Sequence, residues 1–225
     1  MANVRASVYE VITFDCYGTL IDWNAGIAAA FVEAARQDGI ALDREAVLAA
    51  YHAIEPVVEA EAFRLYRDVL TETARRVAAR LNWQLSEHRA GFLAESLPRW
   101  PALPETNAAL ERLAAAGYRL GILSNVDDDL LAGTRRQLSV PFEFTITAQQ
   151  VGSYKPAHGH FLAAREQVGG RPWLHAAQSY FHDIAPAHAL GIPTAWINRT
   201  REAPDGAARP LREVFSLTEL AEWLA

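Results

Sequence analysis

The stretch Val8–Asp22 reads VYEVITFDCYGTLID and joins a strand pattern to a polar turn. Its first half, Val8–Phe14, is rich in β-branched and aromatic residues and almost continuously apolar, which is typical of a parallel strand buried on both faces. The run ends at Asp15, and the glycine-containing turn CYGT follows. We therefore predict a buried strand that presents a carboxylate at its carboxyl end.

Further short apolar runs recur along the chain and alternate with helical patterns. The runs are Tyr118–Leu123, Phe144–Ala148, Ser179–His182 and Pro193–Ile197. Strands that alternate with helices indicate crossover connections and a parallel sheet. The predicted fold class is α/β, with a Rossmann-like parallel-sheet core.

Residues 23–100 differ from this pattern because they contain no convincing strand. Apolar residues recur there at helical spacing, and Pro56 is expected to kink or break one of the helices. We divide the chain into an α/β core of residues 1–22 and 101–225 and a helical insert of residues 23–100, which follows the first strand.

The net charge, the cysteine count and the distribution of apolar residues argue against several classes of protein. The net charge of −6 over 225 residues argues against a broad nucleic-acid-binding face. Cys16 is the only cysteine, so no intrachain disulfide can form, which suits a reducing compartment. There is no signal-peptide pattern at the start and no apolar run of the roughly 18–20 residues that a membrane span needs. We expect a cytoplasmic protein that acts on small molecules, with neither nucleic acid nor membrane as a partner.

Polar side chains follow the predicted strands. Asp15, Ser124, Asn125 and Asp183 come directly after strand patterns, and Lys155 follows another by a short loop. Ligands of parallel sheets bind outside the carboxyl ends of the strands. We therefore expect five polar groups to converge there: two carboxyl groups, a hydroxyl, an amide and an ammonium.

Four motifs that contain these residues occur in a familiar order: FDCYGTLID, LSN, KP and HDIAPAHALGIPTAWINR. Together they resemble the four motifs of the haloacid dehalogenase superfamily, which places its helical cap where the insert lies. Within it the sequence looks most like the L-2-haloacid dehalogenases. Those enzymes have a tyrosine, here Tyr17, where the phosphatases have a second aspartate, and they share the ending PTxWINR.

The resemblance implies a role for each motif residue. Asp15 is the nucleophile, Lys155 keeps it ionised and oriented, and Asp183 positions Lys155 or activates the hydrolytic water. Substrate carboxylate contacts are expected from Thr19, Ser124 and Asn125. The remaining substrate-binding candidates are Tyr17, Ser179 and His182, and His182 is also a candidate for water activation. A homodimer is expected from the resemblance alone.

Two residues argue against a metal-dependent phosphatase. A phosphatase needs an acid two residues after the nucleophile to protonate its leaving group, and a tyrosine with a reference pKa of about 10 is a poor acid. A halide leaves without a proton. The earlier acid of the fourth motif falls on neutral Gln178, which weakens a Mg²⁺ site. We therefore predict no metal or other cofactor.

Hydrolytic dehalogenation of a short 2-haloacid to the 2-hydroxy acid is the predicted reaction. A phosphatase of the same superfamily, with Mg²⁺ and a small phosphate ester, is the alternative, and so is a catalytically altered protein that binds small acids. Cleavage of a carbon–phosphorus bond through a lysine of the cap is set aside, because residues 23–100 contain no lysine.

The insert departs from the dehalogenase pattern at one position. The dehalogenases place a cap arginine over the nucleophile, but the corresponding stretch, YHAIEPVVEAEAFRLYR, has Glu55 and Pro56 near that place. Arg64 and Arg67 lie further along as the candidates to replace it. An arginine above Asp15 would favour a haloacid, whereas a glutamate would favour a neutral or cationic substrate.

Overall fold

A single parallel sheet forms the centre of the protein. The computed structural model describes residues 8–225; residues 1–7, which the predicted core includes, lie outside the described residues. The six strands of the sheet are β1 (Val11–Phe14), β2 (Arg119–Ser124), β3 (Phe144–Thr147), β4 (Trp173–Ala177), β5 (Thr194–Ile197) and β6 (Arg212–Val214). They pair in the order β3-β2-β1-β4-β5-β6, all parallel. The predicted α/β fold class is confirmed.

Helices flank the sheet and fill the insert. The insert contains α1 (Trp23–Gln37), α2 (Arg44–Glu59), α3 (Tyr66–Arg80) and α4 (Phe92–Ser96). The remaining helices are α5 (Thr106–Ala115), α6 (Asp128–Thr134), α7 (Ala148–Val151), α8 (Gly159–Val168), α9 (Ala185–Ala189) and α10 (Leu217–Leu224). Within residues 8–225, no helix combines the length and apolarity needed to cross a bilayer.

One predicted strand is wrong. Ser179–His182 is not extended: the strand lies earlier, at Trp173–Ala177, and Tyr180–Ile184 forms a π-helical turn. The Ser179 side chain accepts a hydrogen bond from the backbone N–H of His182, which stabilises the start of that turn. Asp183 therefore reaches the sheet edge from a helical turn, not from the end of a strand. The first strand also begins later than predicted, at Val11, and Val8 is exposed.

Strand β1 lies where the order of the strands reverses. It pairs with β2 on one side and β4 on the other, and all of its residues are buried. Such a reversal leaves a crevice at the carboxyl ends of the strands, where ligands of open α/β sheets bind. The backbone N–H of Asp15 still donates to the carbonyl of Ala176, at 3.2 Å. The sheet thus holds the start of the Asp15 turn in place.

The turn after β1 requires a glycine and leads straight into the insert. Gly18 has φ +91° and donates its N–H to the carbonyl of Ile21, at 2.8 Å. Any side chain there would be strained, and its Cβ would lie 3.3 Å from the Gln178 amide oxygen. Asp22 then caps α1 by accepting from the N–H of Ala25, at 2.9 Å.

Within residues 23–100, all of which the structure describes, there are helices and no strand. Helix α2 continues through Pro56 to Glu59, so the expected break does not occur. Proline removes only its own N–H from the helical ladder, and the next turn is intact, since the N–H of Ala60 donates to the Pro56 carbonyl at 3.1 Å. Glu55 and Glu59 consequently lie one turn apart on the same helix face.

A close contact joins α1 to the end of the insert. A Cβ added to Gly26 would lie 2.2 Å from Cγ of Trp100, a separation that no packing arrangement tolerates. Trp100 is buried, and its ring meets that of Tyr17 edge-on, with centroids 5.9 Å apart. Gly26 therefore lets the indole ring reach the Asp15 turn.

We expect Gly26→Ala to lower the free energy of unfolding by about 1–3 kcal/mol, because the methyl group forces Trp100 out of its position. Urea denaturation measures the change. Gly91→Ala is the matched control, since the nearest neighbour of its added Cβ is 3.5 Å away; we expect a change within about 0.5 kcal/mol. Equal effects of the two substitutions would contradict the contact.

Candidate active site

A buried lysine lies between two buried carboxylates at the end of β1. The Lys155 ammonium donates to Oδ1 of Asp15 at 2.9 Å, to Oδ1 of Asp183 at 2.7 Å and to the carbonyl of Leu123 at 3.0 Å. All three of its donors are therefore used. Lys155 is the only lysine in the sequence and is 2% exposed. Three distant parts of the chain meet at this one nitrogen atom.

The three charges shift one another's pKa values. Burial disfavours the ammonium, but the two carboxylates outweigh it and hold the pKa of Lys155 above its usual range. Burial also works against the Asp183 carboxylate, yet Lys155 and His175 hold its pKa below the usual range. Burial raises the pKa of Asp15, and Lys155 and Thr19 limit that rise. Lys155 thus offsets the cost of burying the two carboxylates.

A chain of buried hydrogen bonds extends from Asp183 into the sheet. Nε2 of His175 lies 3.0 Å from Oδ1 of Asp183, and its Nδ1 lies 2.9 Å from the Thr13 hydroxyl. The indole N–H of Trp173 donates to that hydroxyl at 2.7 Å. Thr13 can then donate to Nδ1, so a neutral His175 with its proton on Nε2 satisfies every contact.

Sequence reasoning missed this chain, although a signal for it exists. Thr13 and His175 are polar residues inside strands that are otherwise apolar, and they are paired across β1 and β4. Polar residues in fully buried strands need partners, and the register provides them.

Thr19 lies behind the nucleophile. Its hydroxyl donates to Oδ2 of Asp15 at 2.8 Å and accepts from the N–H of Gln178 at 3.0 Å. Its only proton is thus directed at Asp15, and Thr19 is not among the residues that line the cavity. Thr19 therefore contacts the nucleophile, Asp15, and orients it.

Ser124 and Asn125 differ in how their side chains are used. The Ser124 hydroxyl is buried and has no hydrogen-bond partner among the described residues. The Asn125 amide is fully engaged: its oxygen accepts from the N–H of Lys155 at 2.7 Å, and its nitrogen donates to the Lys155 carbonyl at 3.0 Å and to Glu59 at 2.8 Å. Asn125 therefore ties the Lys155 loop to the insert, while Ser124 keeps a donor for a ligand.

The other predicted substrate contacts lie around the same space. The Tyr17 hydroxyl is hydrogen-bonded to that of Thr134 at 2.8 Å, and burial raises its pKa well above the usual value. Ser179 Oγ is 3.1 Å from Nδ1 of His182, whose pKa burial lowers. His182 is consequently neutral near pH 7 and can accept a proton.

A cavity of about 240 Å³ lies between the sheet edge and the insert. It is lined by Asp15, Tyr17, Trp23, Glu55, Glu59, Tyr66, Ser124, Asn125, Val126, Lys155, Gln178, Ser179, His182 and Asp183. A larger recess of about 520 Å³ adjoins it and shares Glu59, Lys155 and His182. The volume of the inner cavity suits a short molecule.

The insert contributes two carboxyl groups to this cavity and no arginine. Glu55 accepts from the Tyr66 hydroxyl at 2.9 Å and is hydrogen-bonded to Glu59. Burial raises the pKa of Glu55, and burial together with the neighbouring Glu55 raises the pKa of Glu59 to about 9. Glu59 was not recognised in the sequence, although two acids four residues apart on an amphipathic helix are a usable signal.

The two arginines expected to replace the cap arginine lie elsewhere. Arg64 donates to Glu61 at 2.9 Å, and Arg67 donates to Asp127 at 3.2 Å and also pairs with Asp129. Neither lines the cavity. The expectation that one of them substitutes for the arginine is wrong, because acidic partners outside the cavity hold both.

The residues around Asp15 do not fit a Mg²⁺ ion. Oδ1 of Asp183 already accepts from Lys155 and His175, and the next candidate ligand, Gln178, is neutral. The Lys155 ammonium lies between the two carboxylates that a divalent cation would have to share. In the described part of the chain, no three His, Cys, Asp or Glu side chains come together as a metal site.

The chain is similar in sequence to known hydrolases. The profile of the haloacid dehalogenase-like hydrolases matches residues 9–175. (S)-2-haloacid dehalogenase 4A from Burkholderia cepacia is 27% identical over 219 residues, which are 94% of this chain and 93% of that protein. Phosphoglycolate phosphatase from Yersinia pseudotuberculosis is 25% identical over 209 residues, 84% of this chain and 81% of that protein.

A solved structure shares the fold over nearly the whole length. The crystal structure of an L-2-haloacid dehalogenase superposes with a TM-score of 0.83, at 23% identity, and covers 96% of this chain and 98% of its own. At that identity the likeness supports the fold alone.

Replacing the buried ammonium tests the electrostatic arrangement. We expect Lys155→Met to lower the free energy of unfolding by about 3–5 kcal/mol at pH 8, because Asp15 and Asp183 are then buried without a cation. The loss should be smaller at pH 5, where Asp15, whose pKa rises further in the variant, takes up a proton.

Chemical denaturation at both pH values measures the change. The matched control is Arg119→Met, which removes a cation that is 58% exposed and should alter stability by no more than about 0.5 kcal/mol. A loss of the same size in both variants would refute a role for charge burial.

Glu59→Gln tests the protonation of the insert. Folding raises the pKa of Glu59 from its ordinary value of 4.5 to about 9. Its stabilising contribution is therefore complete below pH 4.5 and is lost as the pH rises towards 9, by up to about 1.4 kcal/mol per unit. We expect the variant to gain about 1–3 kcal/mol over the wild type between pH 5.5 and 8.5.

Denaturation curves at several pH values measure that gain. Glu61→Gln is the control, since Glu61 is exposed and the nearby Arg76 lowers its pKa; it should show no such gain. A pH-independent difference between Glu59→Gln and the wild type would contradict a protonated Glu59.

Proposed function

The chain belongs to the haloacid dehalogenase-like hydrolases, and we propose that it hydrolyses a carbon–halogen bond through a covalent ester on Asp15. The relatives are named for 2-haloacids, so we take as substrate a short molecule with halogen at carbon 2, beside a carbonyl group. The product is the corresponding 2-hydroxy compound, which for a 2-haloacid is the 2-hydroxy acid.

The observation that carries this proposal is the position of Tyr17. A leaving alkoxide must be protonated, and Tyr17 stands where such an acid is needed, two residues after the nucleophile. Its pKa is raised well above the usual value, and its hydroxyl is bonded to Thr134. It is therefore a weak acid whose hydroxyl already has a hydrogen-bond partner. A halide needs no proton, so a carbon–halogen bond suits the site better than a phosphate ester.

In the first step, an oxygen of Asp15 attacks carbon 2 and the halide leaves with the bonding electron pair. An ester joins Asp15 to the substrate. Lys155 and Thr19 hold the two oxygens of the carboxylate in a fixed orientation. Because the cavity is buried, the attacking carboxylate is not shielded by water.

In the second step, water adds to the carboxyl carbon of the Asp15 ester. The bond between that carbon and the former Asp15 oxygen, now attached to carbon 2, breaks, which releases the 2-hydroxy product and regenerates the Asp15 carboxylate. Two groups are available to take the proton of the water: neutral His182 and Oδ2 of Asp183, which is buried without a partner. Overall, the organic halide and water give the alcohol, halide and a proton.

We propose that no metal ion takes part, since Lys155 occupies the space between the carboxylates and supplies the positive charge. One relative is named as a phosphatase, so hydrolysis of a phosphate ester stays the alternative reaction. A cytoplasmic location and a homodimer remain predictions from sequence and resemblance.

The purified protein should release halide from a panel of short 2-halo acids and 2-halo carbonyl compounds, as measured by ion chromatography. We expect Asp15→Asn to lower the rate at least 10³-fold, because an amide is a poor nucleophile. Chelating agents should leave the rate unchanged.

Turnover of phosphate esters that requires added Mg²⁺, without halide release from any member of the panel, would overturn the proposal in favour of a phosphatase. Circular dichroism of Asp15→Asn serves as the control that the variant is folded.

A further inference from the structure

The insert lines the cavity with two acids and two aromatic residues and with no cation that could pair with an anionic substrate. Glu55 and Glu59 contribute carboxyl groups from α2, one helical turn apart. Glu55 is 7% exposed. Among the residues that line the cavity, Lys155 is the only cation, and its three donors are all used.

A substrate carboxylate would therefore enter a site that is already negative. Asp15, Asp183 and Lys155 together carry one net negative charge, and the insert offers no guanidinium to offset another. Burying a further anion next to two carboxylates, without a partner of its own, is strongly unfavourable. An uncharged group at this position avoids that cost.

The free hydrogen-bonding groups of the cavity match an uncharged amide. The Glu55–Glu59 pair uses its proton in the hydrogen bond between the two carboxyl groups, so it offers acceptor oxygens to a ligand. The Ser124 hydroxyl is a buried donor without a partner. A primary amide offers an acceptor oxygen and N–H donors, so it can pair with both groups, whereas a carboxylate offers acceptors alone.

We propose that the preferred substrate is a short, uncharged 2-halo amide, whose carboxamide binds between Ser124 and the Glu55–Glu59 pair. This inference rests on the proposed dehalogenation at Asp15. The reaction leaves the amide C–N bond intact. Carbon 2 loses halide and gains an oxygen atom of Asp15, and water replaces that oxygen on Asp15 when the ester is hydrolysed, so the products are the 2-hydroxy amide, halide and a proton.

A matched pair of substrates tests the proposal. Chloroacetamide and chloroacetate have the same leaving group and nearly the same size, and they differ in the charge of one group. We expect kcat/KM for chloride release to be roughly 100-fold higher for the amide, because the site's polar groups are left unmatched by the anion. Asp15→Asn measures the background from alkylation of other side chains.

Two variants at Glu59 separate the effect of the charge of this side chain from the effect of its shape. Glu59→Gln keeps the size of the side chain and an acceptor and a donor, so the preference for the amide should persist. Glu59→Lys adds a cation beside the cavity, so we expect the ratio of the two kcat/KM values to shift at least tenfold towards chloroacetate. If Glu59→Lys does not fold, the ratio of the two kcat/KM values for the wild-type protein still tests the proposal by itself.

The outcomes are distinct. Preference of the wild-type protein for chloroacetate, with release abolished by Asp15→Asn, would overturn the amide inference and leave the dehalogenation standing. Absence of Asp15-dependent release from both compounds, and from the wider panel of short halides, would overturn the proposed function and this inference with it.

Discussion

Two buried carboxylates can lie side by side in this protein because the ammonium of Lys155 lies between them. Asp15 follows β1, Lys155 follows the loop after α7, and Asp183 belongs to the turn after β4. Without the lysine, one of the acids would take up a proton and cease to be available as a nucleophile or a base. The charge state of the site and the convergence of these three segments therefore depend on the same contacts.

The sheet makes that arrangement rigid. Thr13 and His175 pair across the central strands and connect Asp183 to Trp173 through buried hydrogen bonds. Such a network fixes the direction of the Asp183 carboxylate from behind, so Lys155 is held from two sides. On the other side of Asp15, Thr19 links the nucleophile to the backbone of Gln178. The nucleophile is thus oriented by Lys155 at the edge of the cavity and by Thr19, which does not line it.

The local sequence pattern was sufficient to predict the positions of the residues that directly follow clear strand patterns. Asp15 and Ser124 end runs of apolar residues, so their place at the sheet edge could be predicted. The strand before Asp183 could not, because WLHAA carries a histidine and small residues while SYFH looks more like a strand. Its true position depends on pairing with β1, a contact about 160 residues distant in sequence that no local propensity reports.

The insert was the least predictable part. Whether a helix survives a proline depends on its packing, and the continuation of α2 through Pro56 is what brings Glu59 to the cavity. The replacement of an expected arginine by an acid pair changes the charge of the substrate that the site can accept, while the chemistry at Asp15 stays the same. Nucleophile and specificity are therefore provided by different parts of the chain.

The covalent route requires that the oxygen delivered to carbon 2 come from Asp15. A single turnover in water enriched in oxygen-18, with enzyme in excess over a substrate that releases halide, traces that oxygen by mass spectrometry. If Asp15 attacks carbon 2, the 2-hydroxy product is unlabelled and the peptide that contains Asp15 carries one oxygen-18 atom. A labelled product, with no label on Asp15, would mean that water attacks carbon 2 directly and that no Asp15 ester forms.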